Sequence, residues 1–204
     1  MGVPEISVAI LAGGQSRRMG QDKAFLPVDG LAVIERVIQR VAGLSDDVVI
    51  ITNTPDKYRH LGQRLVGDVY PDTGALGGIY TGIHTARHPY CLVVACDMPF
   101  LNTSLLAYLI TLAPDSDVVI PVVKEFPETM HALYGKGCLG PIEARLQARA
   151  LKIIGFFDDV RVRYVQREEV ARFDPTFRSF MNMNTPADWQ IVQQLASEED
   201  PKGF

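Results

Sequence analysis

The sequence predicts an α/β fold in which a mostly parallel central sheet carries helices on both faces. Short apolar runs, typical of buried strands, alternate with segments whose apolar residues recur at helical spacing. Strands and helices that alternate in this way favour a parallel sheet with right-handed crossovers. A glycine-rich turn follows the first apolar run, at the position where α/β proteins hold phosphates.

The elements follow one another in a regular order along the chain. We assign strands to residues 6–10, 47–52, 64–68, 90–96, 117–121 and 160–165, and we expect residues 131–134 to re-enter the sheet. We assign helices to residues 34–41, 103–112, 141–148 and from 186 onward, with a weak helix at 57–61, and we expect the glycine-rich turn at 71–79 to open a helix that runs through Ile83 and Ala86. Asn102 or Thr103 is a plausible N-cap. The last helix has the clearest start, because Thr185, Pro186 and Asp188 form a capping-box pattern.

Composition limits the class of protein. The net charge of −4 argues against a nucleic-acid-binding surface. The sequence has neither a signal peptide nor an apolar run of the roughly 18 residues that span a membrane, so we expect a cytoplasmic protein. Its three cysteines lack zinc-site spacing and fit a reducing compartment; Cys91 and Cys96 should lie on opposite faces of one strand. Residues 1–204 read as a single domain with a frayed tail at 198–204.

The glycine-rich turn is the most informative stretch. Residues 11–23 read Leu-Ala-Gly-Gly-Gln-Ser-Arg-Arg-Met-Gly-Gln-Asp-Lys. Two adjacent glycines let the backbone turn sharply and bring its N–H groups close to a ligand. Arg17, Arg18 and Lys23 add three cations, which suit phosphate groups. The turn matches neither the P-loop nor the dinucleotide-binding pattern, so by itself it also fits a basic surface loop.

Polar side chains follow three of the predicted strands. Asn53 and Asp97 come after the second and fourth strands and Asp68 stands at the end of the third, and parallel sheets bind ligands beyond these carboxyl ends. A carboxylate directly after an apolar strand is costly to leave unpaired, and Mg²⁺ commonly takes one or two carboxylates with phosphate oxygens and water. Asp97 is therefore the best metal candidate, with capping of the next helix as the alternative. Alone, Asn53 and Asp68 also fit ordinary turn residues.

Three motifs together resemble one family. Residues 11–23 are similar to the signature loop of Rossmann-like nucleotidylyltransferases, and most of all to that of the molybdenum cofactor guanylyltransferases. Residues 97–100, Asp-Met-Pro-Phe, match the Asp-x-Pro-[Phe/Tyr] element of that family. Residues 182–186, Asn-Met-Asn-Thr-Pro, match its Asn-x-Asn-Thr-Pro element. The resemblance implies a three-layer Rossmann-like nucleotidylyltransferase fold. It also associates Asn182 and Asn184 with a pterin substrate, although Asn184 equally fits helix entry.

The same resemblance assigns roles to individual residues. It implies that Lys23 and Arg18 act on the triphosphate, leaves Arg17 as a variable position, and makes Asp97 the Mg²⁺ ligand. The nucleotide-site positions that it implies are Leu11, Ala12, Gly13, Gly14, Ser16, Lys23, Asn53, Asp68, Gly78 and Asp97. Residues 74–78 depart from the family's usual Gly-Pro-Leu-Ala-Gly but keep glycine at the last position, and residues 128–130 lack a usual proline.

The function that the resemblance implies is transfer of GMP from GTP to the terminal phosphate of molybdopterin, with release of pyrophosphate. In the resembled families, Leu-Ala-Gly-Gly accompanies guanylyl transfer and Leu-Ala-Ala-Gly cytidylyl transfer, so Gly13 favours GTP. The alternatives are a CTP-dependent molybdopterin cytidylyltransferase, a sugar-phosphate nucleotidylyltransferase, and a catalytically silent nucleotide sensor. The expected partners are GTP, molybdopterin, molybdoenzymes and other cofactor-synthesis proteins, with no nucleic acid or membrane, and the expected state is a monomer.

Overall fold

A computed structural model describes residues 3–13 and 22–198 of the chain. Its strands are β1 (Ile6–Leu11), β2 (Pro27–Val28), β3 (Leu31–Ala32), β4 (Val48–Ile51), β5 (Arg64–Val66), β6 (Tyr90–Ala95), β7 (Val118–Val122), β8 (His131–Gly135) and β9 (Val162–Gln166). Its α-helices are α1 (Val33–Val41), α2 (Gly74–Thr85), α3 (Thr103–Thr111), α4 (Leu139–Gln147), α5 (Arg167–Val170) and α6 (Pro186–Ser197). Residues 199–204, the larger part of the predicted tail, lie outside the described residues.

Seven strands form the central sheet in the order β5-β4-β1-β6-β8-β7-β9. Six run parallel, and β8 runs antiparallel to both of its neighbours, β6 and β7. Strands β2 and β3 form a separate antiparallel hairpin. The prediction of a mostly parallel sheet is confirmed, as is the return of residues 131–134 to it.

The sheet separates two hydrophobic clusters, because successive side chains of a strand point to opposite faces. In β1, Ile6, Val8 and Ile10 belong to one cluster, which α1 and α3 cover, whereas Ala9 and Leu11 belong to the other, which α2 and α4 cover. The predicted three-layer arrangement is therefore confirmed. Cys91 and Cys96 also lie in different clusters, as expected from their spacing.

Helix α2 lies unusually close to β1 because glycines line the contact. A Cβ atom on Gly82 would stand 2.7 Å from Cβ of Ala9, and one on Gly78 would stand 2.9 Å from Cδ1 of Leu11. Because Gly78 and Gly82 have no side chain, α2 packs directly against β1. This fixes the start of α2 beside the carboxyl end of β1.

A third cluster attaches the last helix. Val28 of the hairpin, Phe100 after β6, and Met183 and Val192 near and in α6 pack together there. The indole Nε1 of Trp189 donates a hydrogen bond of 2.9 Å to the carbonyl of Pro27. Residues 182–186, which we call the C-terminal motif, therefore lie at the edge of the sheet at which β6 ends.

The predicted caps are confirmed, but one predicted helix is wrong. The Asn102 side chain accepts a hydrogen bond from the Leu105 amide at 2.9 Å, and Thr185 with Asp188 forms the capping box of α6. Residues 55–61 form two single-turn 3₁₀ helices in place of the weak helix. Gly62, at φ 68°, ends the second turn in the left-handed region, so the α-helical bonding pattern cannot continue.

Within the described ranges, no helix combines the length and the apolar character needed to cross a membrane.

Candidate functional site

A cleft of about 730 Å³ opens at the carboxyl ends of β1, β4 and β6. The predicted nucleotide-site residues that line it are Leu11, Ala12, Gly13, Lys23, Asn53, Asp68, Gly78 and Asp97. Gly14, Ser16 and Arg18, together with the variable Arg17, lie outside the described residues. Every predicted nucleotide-site residue that the structure describes therefore borders one cavity, as the rule for parallel sheets leads us to expect.

A second hollow, of about 340 Å³, lies at the amino ends of the strands. Its arginines already have an acidic partner: Arg64 Nη2 lies 2.8 Å from Oδ1 of Asp47, and Arg87 Nε lies 3.6 Å from the same atom. Asp47 also accepts a 2.6 Å hydrogen bond from Ser7, and this bonding keeps its pKa low despite burial. The charges of this hollow are balanced internally, so the larger cleft is the candidate site.

Lys23 occupies the centre of the candidate site. It opens a single 3₁₀ turn, Lys23–Phe25, in which the Asp22 side chain accepts a hydrogen bond from the Ala24 amide. Its Nζ atom donates hydrogen bonds to Oδ2 of Asp97 and, at 2.9 Å, to Oδ1 of Asn184. The ammonium therefore joins the loop after β1, the end of β6 and the C-terminal motif.

Asp97 follows β6 and has one partner for its side chain and one for its carbonyl oxygen. Its side chain is only 9% exposed and pairs with Lys23. Its carbonyl accepts a 3.1 Å hydrogen bond from the amide of Met183. The alternative role of Asp97 as a helix cap is wrong, because Asn102 caps α3.

Asn53 and Asp68 form a polar pair on the opposite wall. Nδ2 of Asn53 donates to Oδ2 of Asp68 at 2.8 Å, and the Asp68 amide donates to Oδ1 of Asn53 at 2.9 Å. The other carboxylate oxygen of Asp68 is buried and has no hydrogen-bond partner in the described part of the chain. Burial raises the pKa of the Asp68 carboxyl, and the Asn53 hydrogen bond offsets this only in part. Asp68 therefore lines the cleft with a carboxylate whose hydrogen-bonding capacity the described residues do not fill.

The two asparagines of the C-terminal motif differ in their surroundings. Both are exposed, but only Asn184 contacts the cleft, through Lys23. Among residues 3–13 and 22–198, the Asn182 side chain has no hydrogen-bond partner. Neither asparagine lines the cleft itself, so the structure brings them to its edge rather than into it.

Sequence reasoning missed an ion pair at the site. Nζ of Lys57 lies 3.2 Å from Oδ2 of Asp22, and both residues line the cleft beside Tyr58. The Lys57 side chain is 55% exposed. The only sequence signal was its position four residues after Asn53, which distinguishes it little from any surface lysine.

The donor set fits a cation held mainly by a ligand. In the ranges that the structure describes, no three acidic, histidine or cysteine side chains cluster to hold a metal ion. Asp97 nevertheless supplies a carboxylate on the cleft wall. Mg²⁺ usually binds in such sites through one or two carboxylates, with substrate phosphates and water completing its octahedral shell.

Comparison with known proteins identifies a family. The model of the MobA-like NTP transferase domain matches residues 8–160. A probable molybdenum cofactor guanylyltransferase from Pelotomaculum thermopropionicum is 39% identical over 187 residues, which cover 92% of this chain and 91% of the relative. A molybdenum cofactor guanylyltransferase from Desulfosudis oleivorans is also 39% identical, over 186 residues that cover 90% and 92% of the two chains.

A solved structure agrees with these sequence matches. The molybdopterin-guanine dinucleotide biosynthesis protein A of Archaeoglobus fulgidus superposes with a TM-score of 0.82 at 26% identity. The superposition covers 95% of this chain and 100% of that one.

Proposed function

Because the chain belongs to the MobA-like NTP transferase family, we propose that it transfers GMP from GTP to the terminal phosphate of molybdopterin. The reaction releases pyrophosphate and forms the molybdopterin guanine dinucleotide cofactor. The names of the relatives support a nucleotidyltransferase that acts in molybdenum cofactor synthesis. Beyond these names, we propose GTP as the nucleotide substrate, molybdopterin as the group that accepts GMP, and a new bond between the molybdopterin phosphate and the α-phosphorus of GTP.

The observation that carries this proposal is the contact between Lys23 and Asp97 on the wall of the cleft. A nucleoside triphosphate needs cationic groups for its phosphates, and the metal ion that accompanies it needs a carboxylate. The two side chains supply both at the carboxyl ends of parallel strands, where such ligands bind. A cleft of about 730 Å³ is also large enough for a nucleotide.

The chemistry requires little more than position and charge. An oxygen of the molybdopterin phosphate attacks the α-phosphorus of GTP; the bond to the β-phosphate oxygen breaks, and pyrophosphate leaves with the electron pair. The nucleophile is already anionic, so no catalytic base is needed. Lys23 neutralises charge on the phosphates and orients them. Mg²⁺, held by Asp97 and the phosphates, would add further charge neutralisation.

Asp68 supports guanine as the base. Guanine presents two adjacent donors, N1–H and the 2-amino group, and a carboxylate can accept from both. Asp68 lines the cleft, and both of its carboxylate oxygens keep acceptor capacity, because Oδ1 has no partner among the described residues and Oδ2 accepts one bond, from Asn53. Cytosine presents one donor, its 4-amino group, and satisfies this pair less completely.

Calorimetric titration of the purified protein with GTP and with CTP, each with Mg²⁺, tests the proposal. We expect GTP to bind at least about tenfold more tightly, since one well-placed buried hydrogen bond is worth about that factor. Asp97→Ala and Lys23→Ala should each weaken GTP binding. Tighter binding of CTP would identify a cytidylyltransferase instead, and binding of neither would refute a guanylyl or cytidylyl transferase.

Turnover then separates an enzyme from a silent nucleotide sensor. With GTP, Mg²⁺ and molybdopterin present together, we expect stoichiometric release of pyrophosphate and formation of the dinucleotide. A protein that binds GTP tightly but releases no pyrophosphate would be a sensor.

A further inference from the structure

Asn184 of the C-terminal motif contacts Lys23, the residue that we expect to bind the phosphates of the nucleotide. We propose that Asn184 is a positioning residue for Lys23, fixing the ammonium group and so setting nucleotide affinity even when no second substrate is bound. This inference rests on the function proposed above. It extends that function by giving one residue of the pterin-associated motif a task on the nucleotide side.

Lys23 needs such a partner because of its own chemistry. A lysine ammonium is a compact charge on a flexible four-carbon stem, with three N–H donors that rotate freely. Here one donor goes to Oδ2 of Asp97 and a second goes to Oδ1 of Asn184 at 2.9 Å. The side chain is 24% exposed, so the two acceptors define its orientation while ligand access remains. No described residue takes the third donor, which is left for a phosphate oxygen.

The main chain around Asn184 is itself held by hydrogen bonds on both sides. Its amide donates to Oδ2 of Asp188 at 3.0 Å, and the amide of Thr185 donates to the same atom at 2.7 Å. On the other side, the amide of Met183 donates to the carbonyl of Asp97, and the Met183 side chain is fully buried. The backbone around Asn184 is thus anchored both to the start of α6 and to the end of β6.

The surrounding charges favour the same arrangement. Hydrogen bonding with Thr185, aided by the Asn184 amide and the nearby Lys23 charge, holds the pKa of Asp188 below its usual value. The Asp188 carboxylate accepts hydrogen bonds from the backbone amides of Asn184 and Thr185 and keeps both in place. The capping box of α6 consequently serves two purposes, because it starts the helix and aims the Asn184 side chain at Lys23.

Asn182, the other asparagine of the C-terminal motif, has different surroundings. Asn182 is exposed, and its side chain finds no hydrogen-bond acceptor or donor among residues 3–13 and 22–198. Its amide is free to meet a second substrate. Of the two asparagines of this motif, both in the described part of the chain, Asn184 alone contacts Lys23.

The test measures GTP affinity by calorimetry with Mg²⁺ and without any pterin. We expect Asn184→Ala to weaken GTP binding by about threefold to tenfold, the factor typical of a partly exposed hydrogen bond to a charged group. Gln190→Ala, which removes an exposed amide side chain from α6, is the matched control and should leave the affinity unchanged. Thermal unfolding of each variant checks that the fold is intact.

A double-mutant cycle separates positioning from general structural damage. In a Lys23→Met background, Asn184→Ala should cause no further loss, because the group that it positions is gone. If wild-type protein binds no GTP, the proposed function fails. If wild-type protein binds GTP but Asn184→Ala binds it equally well, or loses affinity equally in both backgrounds, the positioning role alone is overturned.

Discussion

Replacement of Gly82 by alanine should destabilise the protein, although alanine is the better helix former. Gly82 lies inside α2, and a Cβ atom there would stand 2.7 Å from Cβ of Ala9 in β1. Carbon atoms pack at about 3.5–4.0 Å, so helix and strand would have to separate by about 1 Å. Cβ of Ala9 is attached directly to the backbone and has no torsion that could move it aside.

The expected magnitude follows from two opposing terms. Overpacking in a core costs about 1–3 kcal/mol. The gain in helix propensity from glycine to alanine is about 0.5–1 kcal/mol. The free energy of unfolding should therefore fall by about 1–2 kcal/mol, which lowers the Tm of a chain of 204 residues by about 2–8 °C.

The change should also reach the candidate site, because Gly74, Ala75 and Gly78 of α2 line the cleft. We expect weaker GTP binding in Gly82→Ala, since misplacement by about 1 Å is enough to impair a site.

Urea and thermal unfolding followed by circular dichroism, together with calorimetric titration of GTP, measure both effects. Gly140→Ala in α4 is the control: no atom outside its own helix and chain neighbours lies within 4 Å of its added Cβ, and Pro141, which follows it, offsets the gain in helix propensity, so its stability should change little. A Gly82→Ala protein as stable as the Gly140→Ala protein would refute the reasoning.

Three further predictions concern the C-terminal cap, a buried histidine and the ion pair at the cleft. Thr185→Ala should cost about 1 kcal/mol in urea unfolding, because the amide of Asp188 loses its acceptor; no loss would mean that the cap does not stabilise α6. The lowered pKa of Asp188 adds stability that is present above its usual value of 3.8 and lost as the pH falls through the lower folded value. Burial lowers the pKa of His131 to about 4 from 6.5, and the charge of Asp174 offsets this only in part. Its neutral form is favoured in the folded state, so stability should decline as the pH falls from 6.5 to 4, and His131→Phe should flatten that decline in unfolding measured across this range; an unchanged slope would contradict the assignment. Lys57→Ala should weaken GTP binding by less than about fivefold in calorimetry, since the side chain is 55% exposed; unchanged affinity would mean that it only pairs with Asp22.

Much of the secondary structure could be predicted from the sequence, because many strands and helix starts are determined by a few neighbouring residues. The continuous apolar run of β6 and the Thr-Pro-x-Asp start of α6 each identify their element within a few residues. The single-turn helices at 55–61 and the short α5 are too brief for a periodic pattern to develop. The insertion of β8 between β6 and β7 depends on pairing between distant segments, which no local pattern encodes.

In the candidate site, too, some features follow from neighbouring residues and others depend on contacts between distant segments. The described residues 11–13 and Lys23 of its glycine-rich stretch, and the polar residues after the strands, could be placed from sequence, because parallel strands bring their carboxyl ends to one edge. The contacts between them could not. Lys23 and Asn184 are 161 residues apart, and Asp22 and Lys57 are 35 apart. Such pairs depend on how the last helix and the turn after β4 pack, and these are tertiary features.

The three buried, free cysteines of this protein are built-in chemical reporters, and two of them, Cys96 and Cys91, report on different regions. Cys96 forms part of the cleft wall, whereas Cys91 lies in the core beneath α2. Burial raises the pKa of both thiols to about 12, so neither reacts readily at neutral pH while its surroundings stay closed. The labelling rate of Cys96 by a thiol reagent therefore follows opening of the cleft, and that of Cys91 follows opening of the sheet. A ligand that fills the cleft should slow the first rate far more than the second, so occupancy can be followed without introducing a probe.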